Sequence, residues 1–257
     1  MVEFNNDGAG VSQTQLDSIM SAMKSVEDAP RNAVWVLYGD PGSGRTALAA
    51  SLSDKNILLT VEKGFTSLQN TPDLARVTRV VELSDVGAIG QIDAIVTAIN
   101  AGQIECDNLI LDTMTGIYER KVQQSLVHPK HSTYRRDNEG LPSWPDYQWA
   151  FQQVRPMLLK LVRAKCMVTV ISHIRYPTPE LIAKGETTRP DLGKAVFQLL
   201  NEECGIIAKC YRNPKTRDFM VRTQGSSNET CKSWLGMPPE MAQGEFAKYI
   251  RNYRNGI

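Results

Sequence analysis

The 257-residue chain has almost no net charge: 29 lysines and arginines stand against 28 acids, leaving +1. That excludes a global electrostatic footprint for nucleic acid, so any such site is a local basic patch. Its five cysteines, Cys106, Cys166, Cys204, Cys210 and Cys231, form no CxxC pair and are odd in number. They argue against a disulfide framework and fit reduced thiols in a cytoplasmic protein. No apolar run approaches the roughly 20 residues needed to cross a bilayer, and no membrane partner is expected. The opening MVEFNNDGAG is polar and acidic and does not read as a signal peptide.

The chain does have a regular alternation of apolar runs and helical patterns. AVWVLYG, KNILLTVE, DNLILDT and CMVTVISH read as buried strands. RTALAASL, DVGAIGQIDAIVTAINAG and DYQWAFQQVRPMLLKLVRAK read as helices, the last with Tyr147, Phe151, Val154, Leu158 and Leu161 on one face and a kink expected at Pro156. The fold class is therefore α/β, with a mostly parallel, doubly wound sheet. CGIIAKCYRNPKTRDFMVRTQG adds two β-rich runs around a turn, a C-terminal β-hairpin extension. The expected layout is an N-terminal tail and helix over 1–29, a core over 30–225 and a C-terminal extension over 226–257.

One stretch carries a specific chemistry. Gly39, Asp40, Pro41, Gly42, Ser43, Gly44, Arg45 and Thr46 follow a strand and open a helix, close to G-x-x-x-x-G-K-[ST]. Such a loop turns its backbone N–H groups inward around phosphate oxygens, and the helix N-terminus points at the anion. Thr46 would place its hydroxyl on Mg²⁺, and Asp112, ending another buried strand, would supply the second magnesium-side oxygen. Arg45 departs from the pattern, replacing a compact ammonium with a broad planar fork. Binding of ATP can rest on backbone amides and Mg²⁺; hydrolysis is more exposed to the change, because it depends on positioning and charge stabilisation.

The order of this loop, LLTVEKGF, LILDT and VISHIRY resembles the RecA-type P-loop ATPase core, and looks closest to the minimal RecA-like proteins of phages that act in single-strand annealing and recombination. The resemblance covers about residues 30–225. It implies catalytic roles for Glu62 as the base that orients water, for Arg45 in the loop and for His173 as sensor of the γ-phosphate. Thr60 departs from it, because the family often has an acid shortly before the glutamate. The stretch GETTRPDLGKAV resembles the end of the family's second DNA-binding loop. The resemblance also implies a homo-oligomer, ring or filament, with the nucleotide at the subunit boundary, working in the cytoplasm (the host's, for a phage-encoded chain).

Two stretches, 121–146 and 175–194, show little periodicity and leave the carboxyl side of the sheet. The first offers Lys130, Tyr134, Arg135, Arg136 and Trp144, the second Arg175, Tyr176, Lys184 and Arg189. Cations interleaved with aromatic rings suit single-stranded DNA, with charges following phosphates and rings stacking on bases. Lys194, Arg212, Lys215 and Arg217 are candidates for a cation reaching a neighbouring subunit's nucleotide. Two other readings stay open: a nucleotide-dependent assembly switch with negligible turnover, which Arg45 favours, and a helicase-loader or packaging-type motor ATPase.

Overall fold

The structure, a computed structural model, describes residues 33–62, 66, 68–69, 71–128 and 141–256. All of these lie in the larger of two compact units, Asn32–Ile257. In chain order its elements are β1 (Val34–Gly39), α1 (Arg45–Ser51), β2 (Asn56–Thr60), a 3₁₀ turn (Pro72–Arg76), β3 (Val77–Glu82), α2 (Ala88–Asn100) and β4 (Asn108–Asp112). Then come α3 (Met114–Leu126), α4 (Trp144–Val162), β5 (Met167–Arg175), α5 (Pro179–Ile182), β6 (Arg189–Pro190) and α6 (Lys194–Glu203). β7 (Ile206–Arg212), β8 (Phe219–Arg222), β9 (Lys232–Ser233), β10 (Glu240–Ala242) and α7 (Gln243–Asn255) complete it.

The main sheet runs β10-β8-β7-β1-β5-β4-β2-β3. The six strands from β7 through β3 pair in parallel, while β8 and β10 extend the sheet antiparallel. β7 and β8 form the expected hairpin. The central strands are apolar throughout because both sheet faces are covered. Val34, Val36 and Tyr38 of β1 point into one core with α2, α3, α4 and α6. Trp35 and Leu37 point into the other with α1 and α7.

A buried polar ladder ties α1 to the sheet. Asn108 donates to Asn56 Oδ1 at 2.9 Å and to the Ala49 carbonyl at 3.1 Å, and Thr169 donates to Asn108 Oδ1 at 2.9 Å. Asn56 donates to the Ala50 carbonyl at 2.9 Å. These bonds occupy carbonyls at the end of α1 that would otherwise be buried without partners.

Several elements differ from the sequence expectation. Residues 114–126 are helical although 121–146 shows little periodicity, because α3 buries Lys121 and Ser125 and so breaks its apolar stripe. β3 is an edge strand with four exposed residues and gives no buried run. α6 buries only Val196 and Leu200. α4 runs unbroken through Pro156, which sits on the solvent face, where water can serve the carbonyl left without an N–H partner. Tyr147 lies at the exposed edge of that helix and not in its buried stripe.

Candidate functional site

The parallel register brings four strand ends together. Gly39 at the end of β1 pairs with His173 on β5, Asp112 of β4 pairs with Ile171 of β5, and Thr60 of β2 pairs with Asp112. Val61 N–H donates to the Asp112 carbonyl at 3.0 Å, which carries Glu62 to the same edge. The loop from Gly39 to Thr46 crosses this edge and feeds α1. Gly39 has no room for a side chain, since a Cβ would lie 2.1 Å from the Cys210 carbonyl oxygen of β7.

Within this cluster Thr46 Oγ1 donates to Asp112 Oδ2 at 2.9 Å. Glu62 accepts from the Thr113 hydroxyl at 2.6 Å and faces His173 Nε2 at 3.4 Å. The His173 backbone N–H donates to the Thr115 hydroxyl at 3.0 Å, and that hydroxyl donates to the Asp191 carbonyl at 2.9 Å. Arg45 folds across the strand ends and donates from its guanidinium to the Ser172 carbonyl.

Charge is unevenly supported here. Burial raises the Asp112 pKa above the usual carboxylate range, against the pull of the Thr46 hydroxyl. Burial lowers the Arg45 pKa, and nearby Asp112 and Glu62 oppose that shift. The hydrogen bond to His173 lowers the Glu62 pKa, and its counterpart raises that of His173. Thr46 and Asp112 present two hard oxygens at 2.9 Å. Magnesium fits this donor set, because it typically takes one or two protein oxygens and completes its shell with waters and phosphate. A cation beside Asp112 would also offset the cost of keeping that carboxylate charged in a buried place.

The glycine-rich loop therefore stands at the carboxyl edge of a parallel sheet with a hydroxyl–carboxylate pair beside it. A AAA domain family model matches residues 31–236. The chain belongs to the AAA domain family. The fold is that of a nucleotide-binding P-loop ATPase. Among solved structures, it is similar to the RadB recombinase at 15% identity over 74% of this chain and 79% of that one, with a TM-score of 0.42. It is also similar to the flagellar accessory protein FlaH from Methanocaldococcus jannaschii at 9% identity over 75% and 76%, with a TM-score of 0.37. No curated protein matches the chain.

The remaining sequence-predicted residues of this AAA domain divide by location. Lys130, Tyr134, Arg135 and Arg136 lie outside the described residues. Trp144 opens α4 and is 71% exposed. Arg175, the last residue of β5, and Tyr176 and Lys184 beyond it are exposed. Arg189 packs over the Phe197 ring at 5.1 Å and donates to the Leu192 carbonyl at 3.2 Å, so its guanidinium is already engaged. Lys194 is exposed at the start of α6, and Arg212, Lys215 and Arg217 are exposed at the β7–β8 turn. Arg212 lies over the Phe219 ring at 5.0 Å and donates to the Arg217 carbonyl at 3.0 Å.

Two cavities flank the cluster. One of about 880 Å³ opens beside Glu62 and is bordered by Arg120, Tyr147, Arg175 and Asp191. The other, about 480 Å³, follows α1 between Ala47, Ser51, Phe219 and Gln243. Sequence reading missed Thr113, Thr115 and Gln243. Thr113 was within reach, since it follows Asp112 directly; Gln243, about 200 positions from the loop it touches, left no local signal. Among the described residues no helix is long and apolar enough to cross a membrane.

Proposed function

We propose that the chain is a RecA-like ATPase that binds ATP with Mg²⁺ and acts on single-stranded DNA in recombination or annealing of the phage type. The Glu62–His173–Thr113 group beside the Thr46–Asp112 pair is the observation that carries this reading. Residues 39–46 would cradle the phosphates, with the base directed into the cavity along α1. Thr46 and Asp112 would hold the metal, which when bound neutralises charge on the phosphate oxygens. Glu62, fixed by the Thr113 hydroxyl, would orient water and take its proton. His173 would exchange Glu62 for a phosphate oxygen.

Arg175, Tyr176 and Lys184 support the DNA assignment, being exposed on the segment that starts two residues beyond His173. Tyr176 donates to Asp40 of the phosphate loop at 2.7 Å, so a strand bound on this segment would touch the nucleotide site through one hydrogen bond. Oligomers with the nucleotide at the subunit boundary complete the reading, with Lys194 or a cation of the β7–β8 turn reaching across. The test is binding of a fluorescent oligonucleotide, single-stranded or duplex, with and without ATP and Mg²⁺. Tighter single-strand binding with ATP is expected; an equal or greater preference for duplex would point to a motor ATPase. Arg45 held on Ser172 favours a second reading, an assembly switch in which ATP orders the oligomer without turnover.

A further inference from the structure

The C-terminal helix reaches the phosphate loop through Gln243. Gln243, the first residue of α7, donates from Nε2 to the Ser43 carbonyl at 2.8 Å. Its amide lies close against Gly44, where a Cβ would meet Gln243 Oε1 at 2.7 Å and Phe219 Cδ1 at 3.0 Å. The helix behind it is anchored by buried Phe246, Ala247 and Ile250, with the Phe246 ring set edge-on to Trp35 at 6.5 Å between centroids. Gln243 is thus delivered from a packed element and not from a loose tail.

In a trans peptide the carbonyl and the following N–H point to opposite sides. Holding the Ser43 carbonyl on the outside therefore aims the Gly44 N–H at the inside of the loop. The loop does not enforce this by itself. Gly44 sits at φ 83°, and glycine adopts either sign of φ with similar ease, so the torsion on the glycine side puts little restraint on the Ser43–Gly44 peptide. Ser43 N–H is spent on the Asp40 carbonyl at 3.1 Å, and the Gly44 carbonyl accepts from Leu48 at 2.8 Å. The Ser43–Gly44 peptide lies between these two fixed points.

We propose that Gln243 is a positioning residue for nucleotide binding: from α7 it fixes the Ser43–Gly44 peptide and so presents the Gly44 N–H to the phosphates. The proposal rests on the nucleotide-binding reading above. Gln243 also borders the cavity along α1, so its effect must be separated from contact with the base.

The experiment measures equilibrium binding of a fluorescent ATP analogue with Mg²⁺ to the full chain, and its displacement by ATP and by tripolyphosphate, which has no base. Gln243→Glu keeps the size but replaces the donor with a carboxylate, and Gln243→Ala removes the contact. Lys248→Ala, on the exposed face of the same helix, is the control. Loss of one neutral hydrogen bond corresponds to about 3- to 10-fold weaker binding for Gln243→Ala. A larger loss is expected for Gln243→Glu, in the same ratio for ATP and tripolyphosphate, with thermal midpoints unchanged. Wild-type affinity in both variants would overturn the proposal. So would a loss confined to ATP, which marks a base contact, or a loss of affinity that follows a fall in melting temperature. Failure of the wild-type chain to bind ATP would instead reject the nucleotide reading itself.

Discussion

Glu62, just beyond β2, and His173, near the end of β5, face each other across 3.4 Å, each about 38% exposed. The pair opposes two roles. A protonated His173 holds Glu62 as an ion-pair partner, whereas a neutral His173 leaves that carboxylate to water. The His173 pKa is raised by Glu62, so its proton is lost only above the usual imidazole range.

Turnover should therefore rise with pH, with a midpoint above the ordinary imidazole value of about 6.5. His173→Gln, which carries no titrating group, should flatten that limb. The check is ATP hydrolysis at saturating substrate from about pH 5.5 to 9. The sign for stability is the reverse at the alkaline end. The raised His173 pKa gives a contribution present below its unfolded value and lost as pH rises through the folded one. The lowered Glu62 pKa gives one present above its unfolded value and lost as pH falls through the folded one. The pair stabilises between those limits, by a small amount because both groups are partly solvated.

Arg45→Lys should raise turnover while leaving ATP affinity within about threefold, because backbone amides and metal hold the triphosphate in either form. The guanidinium is held on the Ser172 carbonyl, which lysine has the freedom to leave. Single-turnover rates beside equilibrium affinities separate the two effects. Equal rates would show that arginine serves this site as well as lysine does.

The parallel sheet and its main strands were legible because the strands are continuous apolar runs, each with a residue of distinct chemistry at or near its carboxyl end: Gly39, Asp112, His173. Spacing cannot tell which strand ends become neighbours. The Glu62–His173 contact depends on the register of β2 against β4 and of β4 against β5, over sequence separations of about 50 and 60 residues. α3 was hidden by buried Lys121 and Ser125, and β3 by its exposure at the sheet edge. Gln243 was hidden for another reason: its partner is a backbone carbonyl, which has no letter in the sequence.

Arg175→Ala should weaken single-strand binding and lower the salt slope of log affinity by about 0.7, the loss of one phosphate contact. Tyr176→Ala should weaken binding by about 1–3 kcal/mol through lost stacking, with little change in slope. Fluorescence anisotropy across a salt series measures both. An unchanged slope for Arg175→Ala would remove that residue from the DNA path.

Phe246→Ala should destabilise the fold by about 3–5 kcal/mol, because the ring is fully buried between α7 and Trp35. Urea unfolding followed by tryptophan fluorescence measures it. A cost under about 1 kcal/mol would mean that α7 is not held in the core as described.

Phosphate release from ATP, with and without single-stranded DNA, compared between the wild-type chain and Glu62→Gln, tests the central claim most directly. The account predicts release that DNA stimulates in the wild type, and its loss in Glu62→Gln with ATP binding retained. Equal release from both chains, or ATP binding with no release under either condition, would contradict it.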